Sequence, residues 1–180
     1  MNMIIEYSNQ AELALAAYAD LSGSASGYQQ ALVKVGMSPT QATQFAKHWA
    51  VVDQYTHSET TLVFDAITGE SYYQTSSNGL SATVFENIET KQRYLAVRGT
   101  ELGAADIVAD AILAAGFPQY VNPQFVVLRD KVLDWMTSGI LPAAFSAAGH
   151  SLGGYLAAAV GSFFRRGPVY MYNAPGVGGA

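Results

Sequence analysis

Apolar residues recur at helical spacing through the first fifty residues and at strand spacing after them. Ala14, Ala17, Tyr18 and Leu21 share one face behind the capping-box spacing of Asn9 and Glu12, which predicts a first helix. The small and polar residues 22–27 break it, and a weaker helix is expected over 28–35. Ser38-Pro39-Thr40-Gln41 is a stronger start, with a capping serine, proline at the first helical position and glutamine at the third. Ala42, Phe45, Ala46, Trp49 and Ala50 then form a stripe suited to packing on a sheet.

From Val51 the period changes to that of strands. Segments 61–67 and 71–75 flank a turn at Thr68-Gly69-Glu70, and 81–87 with 92–97 flank 88–91, so two hairpins are predicted. Asn122-Pro123 opens another helix, with Phe125, Leu128, Val132, Leu133 and Met136 as its buried face and an end near Ser138-Gly139. The uncharged apolar run 143–148 is expected to be a strand covered on both faces. An alanine- and glycine-rich helix over 152–164 and a parallel strand over 169–172 complete the pattern. The fold class is therefore α/β, a helical entry over 9–50 leading into a sheet over 51–180, all in one domain.

Composition narrows the function. Half of the 180 residues are hydrophobic and 13% are charged, which suits a packed core and excludes a disordered chain. A net charge of -5 leaves no basic patch for nucleic acid; Arg165-Arg166 is the one adjacent pair and is expected to close a helix. There is no cysteine, so disulfides and thiolate chemistry are excluded. No secretory signal pattern is present at the N-terminus. The apolar stretch 140–164 has the length of a membrane span, but Pro142 and a glycine cluster divide it, so no transmembrane segment is expected.

That glycine cluster carries the chemistry. Gly149-His150-Ser151-Leu152-Gly153-Gly154 has the Gly-x-Ser-x-Gly spacing of a nucleophile elbow, in which a serine sits on a sharp strand-to-helix turn over the end of a sheet. Residues two before and two after the serine nearly touch in such a turn, so Gly149 and Gly153 leave room where a Cβ would collide. The elbow falls between the predicted buried strand and the alanine-rich helix, where this chemistry needs it.

With Arg98-Gly99-Thr100 ahead of the elbow and Asn173-Ala174-Pro175-Gly176-Val177-Gly178 after it, the stretch 81–179 resembles the class 3 lipase family, and the spacing of Asp106 and Asp110 is similar to that family's Asp-x-x-x-Asp stretch. The resemblance implies an α/β-hydrolase-like central sheet with flanking helices, here incomplete at its C-terminal end. It implies a serine ester hydrolase acting on acylglycerol or phospholipid esters at a lipid–water interface, with Ser151 as nucleophile. The amides of Leu152 and Thr100 are implied as oxyanion donors, Gly149, His150 and Gly153 as elbow support, and 101–120 as a lid whose apolar residues are Ile107, Val108, Ile112, Leu113 and Phe117. The triad aspartate and histidine follow the Ala-Pro-x-Val-Gly strand in the family and are expected outside these 180 residues. Relatives with calcium-binding glycine-rich repeats are exported without an N-terminal signal and avoid cysteine, which implies an extracellular location, the cytoplasm being the alternative. Gly176 to Gly179 is too short for such a repeat, so no cofactor is expected here and calcium only through a further C-terminal region.

Blander readings stand beside these. His150 is expected to hydrogen-bond within the core, since side chains adjoining an elbow serine point elsewhere. His48 and His57 are expected in surface or structural roles, although His57 is the remaining choice of base if the chain is a complete enzyme. Asp106 and Asp110 more simply cap or pair on a helix than hold a metal. The alternative to an enzyme is a lipase-like fragment that needs a second chain to complete the triad, or a binding module. A serine peptidase or acyltransferase would use the same scaffold.

Overall fold

The computed structural model describes residues 3–174 apart from 24, 66, 68, 77–78, 100–121 and 166. Helices α1 (Met3–Ala16), α2 (Ala25–Lys34) and α3 (Pro39–His48) precede strands β1 (Trp49–Thr56), β2 (Glu59–Phe64), β3 (Ser71–Ser76), β4 (Ser81–Asn87) and β5 (Arg93–Arg98). Helix α4 (Pro123–Thr137), strand β6 (Ser146–His150), helix α5 (Leu152–Phe164) and strand β7 (Val169–Tyr172) follow. One mixed sheet has the order β1-β4-β5-β6-β7, and β2 with β3 forms a separate two-stranded ribbon. The first three strands of the large sheet pair antiparallel, while β5, β6 and β7 run parallel. The carboxyl ends of β1, β5, β6 and β7 therefore lie at one end of the sheet.

Strand alternation builds two cores. Leu95, Val97, Val84 and Ala147 point to one face, where Phe125, Leu128, Val132 and Trp135 of α4 and Tyr155, Leu156 and Val160 of α5 cover them. Tyr94, Ala96 and Phe85 point to the other, beneath Leu13 and Ala16 of α1, Leu32 of α2 and Ala42 and Phe45 of α3. Each fully buried large side chain stabilises the fold by about 1.5–3 kcal/mol relative to exposure. The predicted α/β class thus takes the form of a five-stranded mixed sheet between two helical layers.

Local signals place several elements as expected. Ser38 and Gln41 complete their capping box, the serine Oγ accepting from the Gln41 amide at 3.2 Å and the glutamine Oε1 from the Ser38 amide at 3.0 Å. Asn122 Oδ1 accepts from the Gln124 and Phe125 amides at 2.9 and 3.2 Å and starts α4. Arg165, in a left-handed conformation, caps α5.

Other expectations are corrected. Helix α1 starts at Met3, so Asn9 and Glu12 are interior to it. The added length is held by distant tyrosines: Tyr172 donates to the Tyr7 carbonyl at 2.7 Å, and Tyr170 donates to Glu6 Oε1 at 3.2 Å. Burial and the Glu6 carboxylate push the Tyr170 phenol up to about 12, so it remains a donor at neutral pH. Trp49 and Ala50 open β1 instead of closing α3, because Trp49 packs edge-on to Tyr94, 5.3 Å between ring centres. The strand expected over 143–148 runs 146–150, and that expected over 61–67 runs 59–64. Leu133 of α4 is exposed, and Trp135 is buried with Val132 in that turn.

Trp135 identifies a polar tie across the core. Its indole N–H donates to Asp53 Oδ2 at 2.6 Å, where a register shift between Val51 and Asp53 bulges β1. Asp53→Ala leaves that buried donor without its acceptor, and a loss of about 1–3 kcal/mol is expected. Urea unfolding checks it as a lower midpoint with an unchanged m value.

Candidate active site

Ser151 stands between the last residue of β6 and the first of α5, with φ 54 and ψ -129. For a residue with a Cβ this backbone costs about 1–3 kcal/mol and persists only where neighbours enforce it. They do so from both sides. The Ser151 amide donates to the Tyr172 carbonyl of β7 at 2.9 Å, and its carbonyl accepts from the amides of Gly154 and Tyr155 at 3.0 and 3.3 Å. The side chain is half-buried and makes no cap hydrogen bond to the helix, so the hydroxyl is turned away from the amides a capping serine would engage.

The glycines are explained by backbone contacts. A Cβ on Gly149 would overlap the carbonyl group of Gly153 and lie 2.7 Å from the Gly154 nitrogen. One on Gly153 would overlap the Val97 carbonyl and lie 2.8 Å from the Gly99 nitrogen. Gly99 faces the same approach, its hypothetical Cβ falling 2.7 Å from both the Gly153 nitrogen and the Leu152 Cβ. The first turn of α5 therefore lies directly on the carboxyl end of β5. That gives Gly99 of the Arg-Gly-Thr segment a packing role that sequence pattern alone did not supply.

Leu152 and Gly153 are the first residues of α5, where amides have no acceptor within the helix and the helix dipole is positive. An oxyanion forming beside Ser151 would meet that charge. The companion donor Thr100, the lid residues Ile107, Val108, Ile112, Leu113 and Phe117, and Asp106 and Asp110 lie outside the described residues.

The chain's three histidines are all described. His48 is exposed, its Nδ1 2.9 Å from the Gln44 carbonyl. His57 is buried just beyond β1, with Nδ1 2.8 Å from the Tyr55 hydroxyl and Nε2 3.2 Å from Glu59 Oε1. It sits at the same end of the sheet as Ser151, but β1 and β6 are three strand spacings apart in the sheet order, roughly 14 Å. That distance removes His57 as the base for Ser151. His150 is exposed, not in the core as expected: alternation turns it to the α1 face, where Nδ1 lies 3.4 Å from the Tyr18 hydroxyl.

A polar cleft of about 400 Å³ lies at the carboxyl end of β5, lined by Ala19, Asp20, Ser22, Gln54, Thr56, Ser81 and Arg98. The Ser22 hydroxyl and amide donate to Asp20 at 2.6 and 3.1 Å and, with Arg98 nearby, hold its carboxyl below the usual range. Gln54 fixes the wall, accepting from the Leu21 amide at 2.7 Å and donating to the Ala19 carbonyl at 2.9 Å. These residues come from four segments far apart in the chain, and of them only Arg98 belongs to a motif.

Among the described residues, no group of three or more His, Asp or Glu side chains is placed to hold a metal ion. No helix among them is long and apolar enough to cross a membrane. The chain matches no protein family, no curated protein and no solved structure.

Proposed function

We propose that the protein is a serine carboxylic-ester hydrolase of the α/β-hydrolase type, acting on acylglycerol or phospholipid esters through an acyl-enzyme at Ser151. The observation that carries this reading is the Ser151 backbone, φ 54 and ψ -129, enforced at the junction of a parallel strand and a helix N-terminus. Strain of this kind lifts a hydroxyl clear of the helix amides and toward an incoming carbonyl. The Leu152 amide, with Thr100 as its implied companion, would stabilise the oxyanion. Losing one such donor costs about 2.7–4 kcal/mol of transition-state stabilisation.

The activating histidine and its aspartate are proposed to come from outside these 180 residues. The placement of His57, with both ring nitrogens engaged, favours this over a base within the chain. The same placement gives weight to a second reading, a lipase-like part that becomes catalytic only with a complementing chain. A fluorophosphonate probe is the test. Labelling of the natural protein at Ser151, located by peptide mass spectrometry and lost in Ser151→Ala, is expected; no adduct there overturns the hydrolase reading. An adduct that forms only when a separate second polypeptide is bound to the protein identifies the second reading.

A further inference from the structure

The ribbon of β2 and β3 makes little contact with any other element, and two-stranded ribbons alone are marginal in water. It leaves the sheet between Thr56 and Ser81, which pair with each other at the end that holds Ser151. Along its length the ribbon is graded. Its base is polar, with Thr60 and Thr75 sharing a hydroxyl contact of 3.0 Å and Thr61 opposite Gln74. Its outer half is apolar: Leu62 pairs with Tyr73 on one face beside Phe64, Tyr72 pairs with Val63 on the other, and Ile67 in the turn is 96% exposed.

We propose that this ribbon docks the protein on a lipid surface of choline headgroups. The apolar side chains here occupy both faces and the tip, an arrangement that a fluid phase surrounds on every side without needing a cavity matched to it. The charge selects the headgroup. Glu59, Asp65 and Glu70 belong to the ribbon, and no lysine or arginine occurs between Lys47 and Lys91, so an anionic layer is repelled. The carboxylates of Glu59, Asp65 and Glu70 and the exposed rings of Tyr72 and Tyr73 supply the two chemistries that draw a quaternary ammonium, charge attraction and an aromatic face. The same three charges oppose a second copy of the ribbon. Two carboxylates near the tip limit entry to the headgroup level, with Ile67 deepest: the Asp65 side chain accepts from the Ile67 amide at 2.8 Å, and the Asp65 amide donates to the Glu70 carbonyl at 2.9 Å. This extends the proposed hydrolase reading by naming where its substrate is met, although the docking itself does not require Ser151 chemistry.

Flotation with phosphatidylcholine vesicles is the experiment, using the intact protein, Phe64→Glu, Ile67→Glu and, as a control elsewhere on the surface, Ile88→Glu. The intact protein and Ile88→Glu should float, and each ribbon variant should lose partitioning by about tenfold or more. Thermal unfolding of the ribbon variants should stay unchanged, since those side chains support no core. Failure of the intact protein to float, undiminished binding by the variants, or stronger binding to phosphatidylserine vesicles overturns the proposal. So does a concentration-dependent dimer that the ribbon variants abolish. Turnover of a soluble nitrophenyl ester, measured in parallel, separates the two readings: vesicle binding without turnover removes the hydrolase and leaves the docking surface.

Discussion

Ser151→Ala is expected to lower kcat/KM on a soluble nitrophenyl ester by about 10³-fold or more, with little change in stability. Alanine keeps the Cβ and hence the same strained backbone, and the bonds that fix it, to the Tyr172 carbonyl and from the Gly154 and Tyr155 amides, involve only main-chain atoms. The hydroxyl supports no cap, so its removal costs the fold nothing comparable to its chemical loss. Ser151→Gly separates the two effects. Glycine adopts φ 54 without a clash and should recover part of the roughly 1–3 kcal/mol held in the turn, offset by about 0.4–1 kcal/mol of added freedom in the unfolded chain. Both variants should be inactive, and the glycine form should melt no lower than the alanine form. Initial rates and thermal denaturation on the same preparations decide it: an alanine variant that retains the parent rate removes Ser151 as nucleophile.

What could be read from sequence was what local chemistry determines. The box of Ser38 and Gln41 and the cap at Asn122 satisfy amides within three residues of themselves, and both helices start where those residues stand. The bounds of β4, α5 and β7 agree with expectation because turn residues flank short runs of one period. Where distant residues intervene, local signals fail. Tyr170 and Tyr172 hold α1 as far as Met3, and Tyr94 draws Trp49 into β1 from a helical stripe that it fitted equally well.

The same division runs through the site. The elbow was legible because its glycines and serine constrain one another across a few residues. The distance between His57 and Ser151 was not, because it depends on strand order: β4 and β5 stand between β1 and β6 although both follow β1 in the chain. Nor was the cleft, which brings Asp20, Gln54 and Arg98 together from separate segments, with Gln54 bonded to the Leu21 amide and the Ala19 carbonyl. Gly99 was legible as part of a motif, and its reason is the approach of α5.

Gly153→Ala is expected to damage folding more than any other single methyl addition at the elbow helix. The new Cβ would overlap the Val97 carbonyl and sit 2.8 Å from the Gly99 nitrogen, and both obstacles are backbone, of β5 and of the residue that follows it; β5 pairs with β4 on one side and β6 on the other. To admit the methyl, α5 must lift from the sheet and take Leu152, Tyr155 and Leu156 from the core with it. A cost above about 4 kcal/mol is expected, a large share of the roughly 5–15 kcal/mol that holds a domain folded. Gly161 in the same helix is the comparison, because a Cβ there meets only the Val169 side chain, which can turn, so about 1–3 kcal/mol is expected. Gly27 in α2 has nothing within 4 Å of an added Cβ, and alanine there should gain up to about 1 kcal/mol from helix propensity. Urea midpoints should therefore fall in the order Gly27→Ala, parent, Gly161→Ala, Gly153→Ala, with the last scarcely folded. A Gly153→Ala protein with the parent midpoint would mean that the helix N-terminus does not rest on β5, and the oxyanion role of the Leu152 amide would lose its geometric basis.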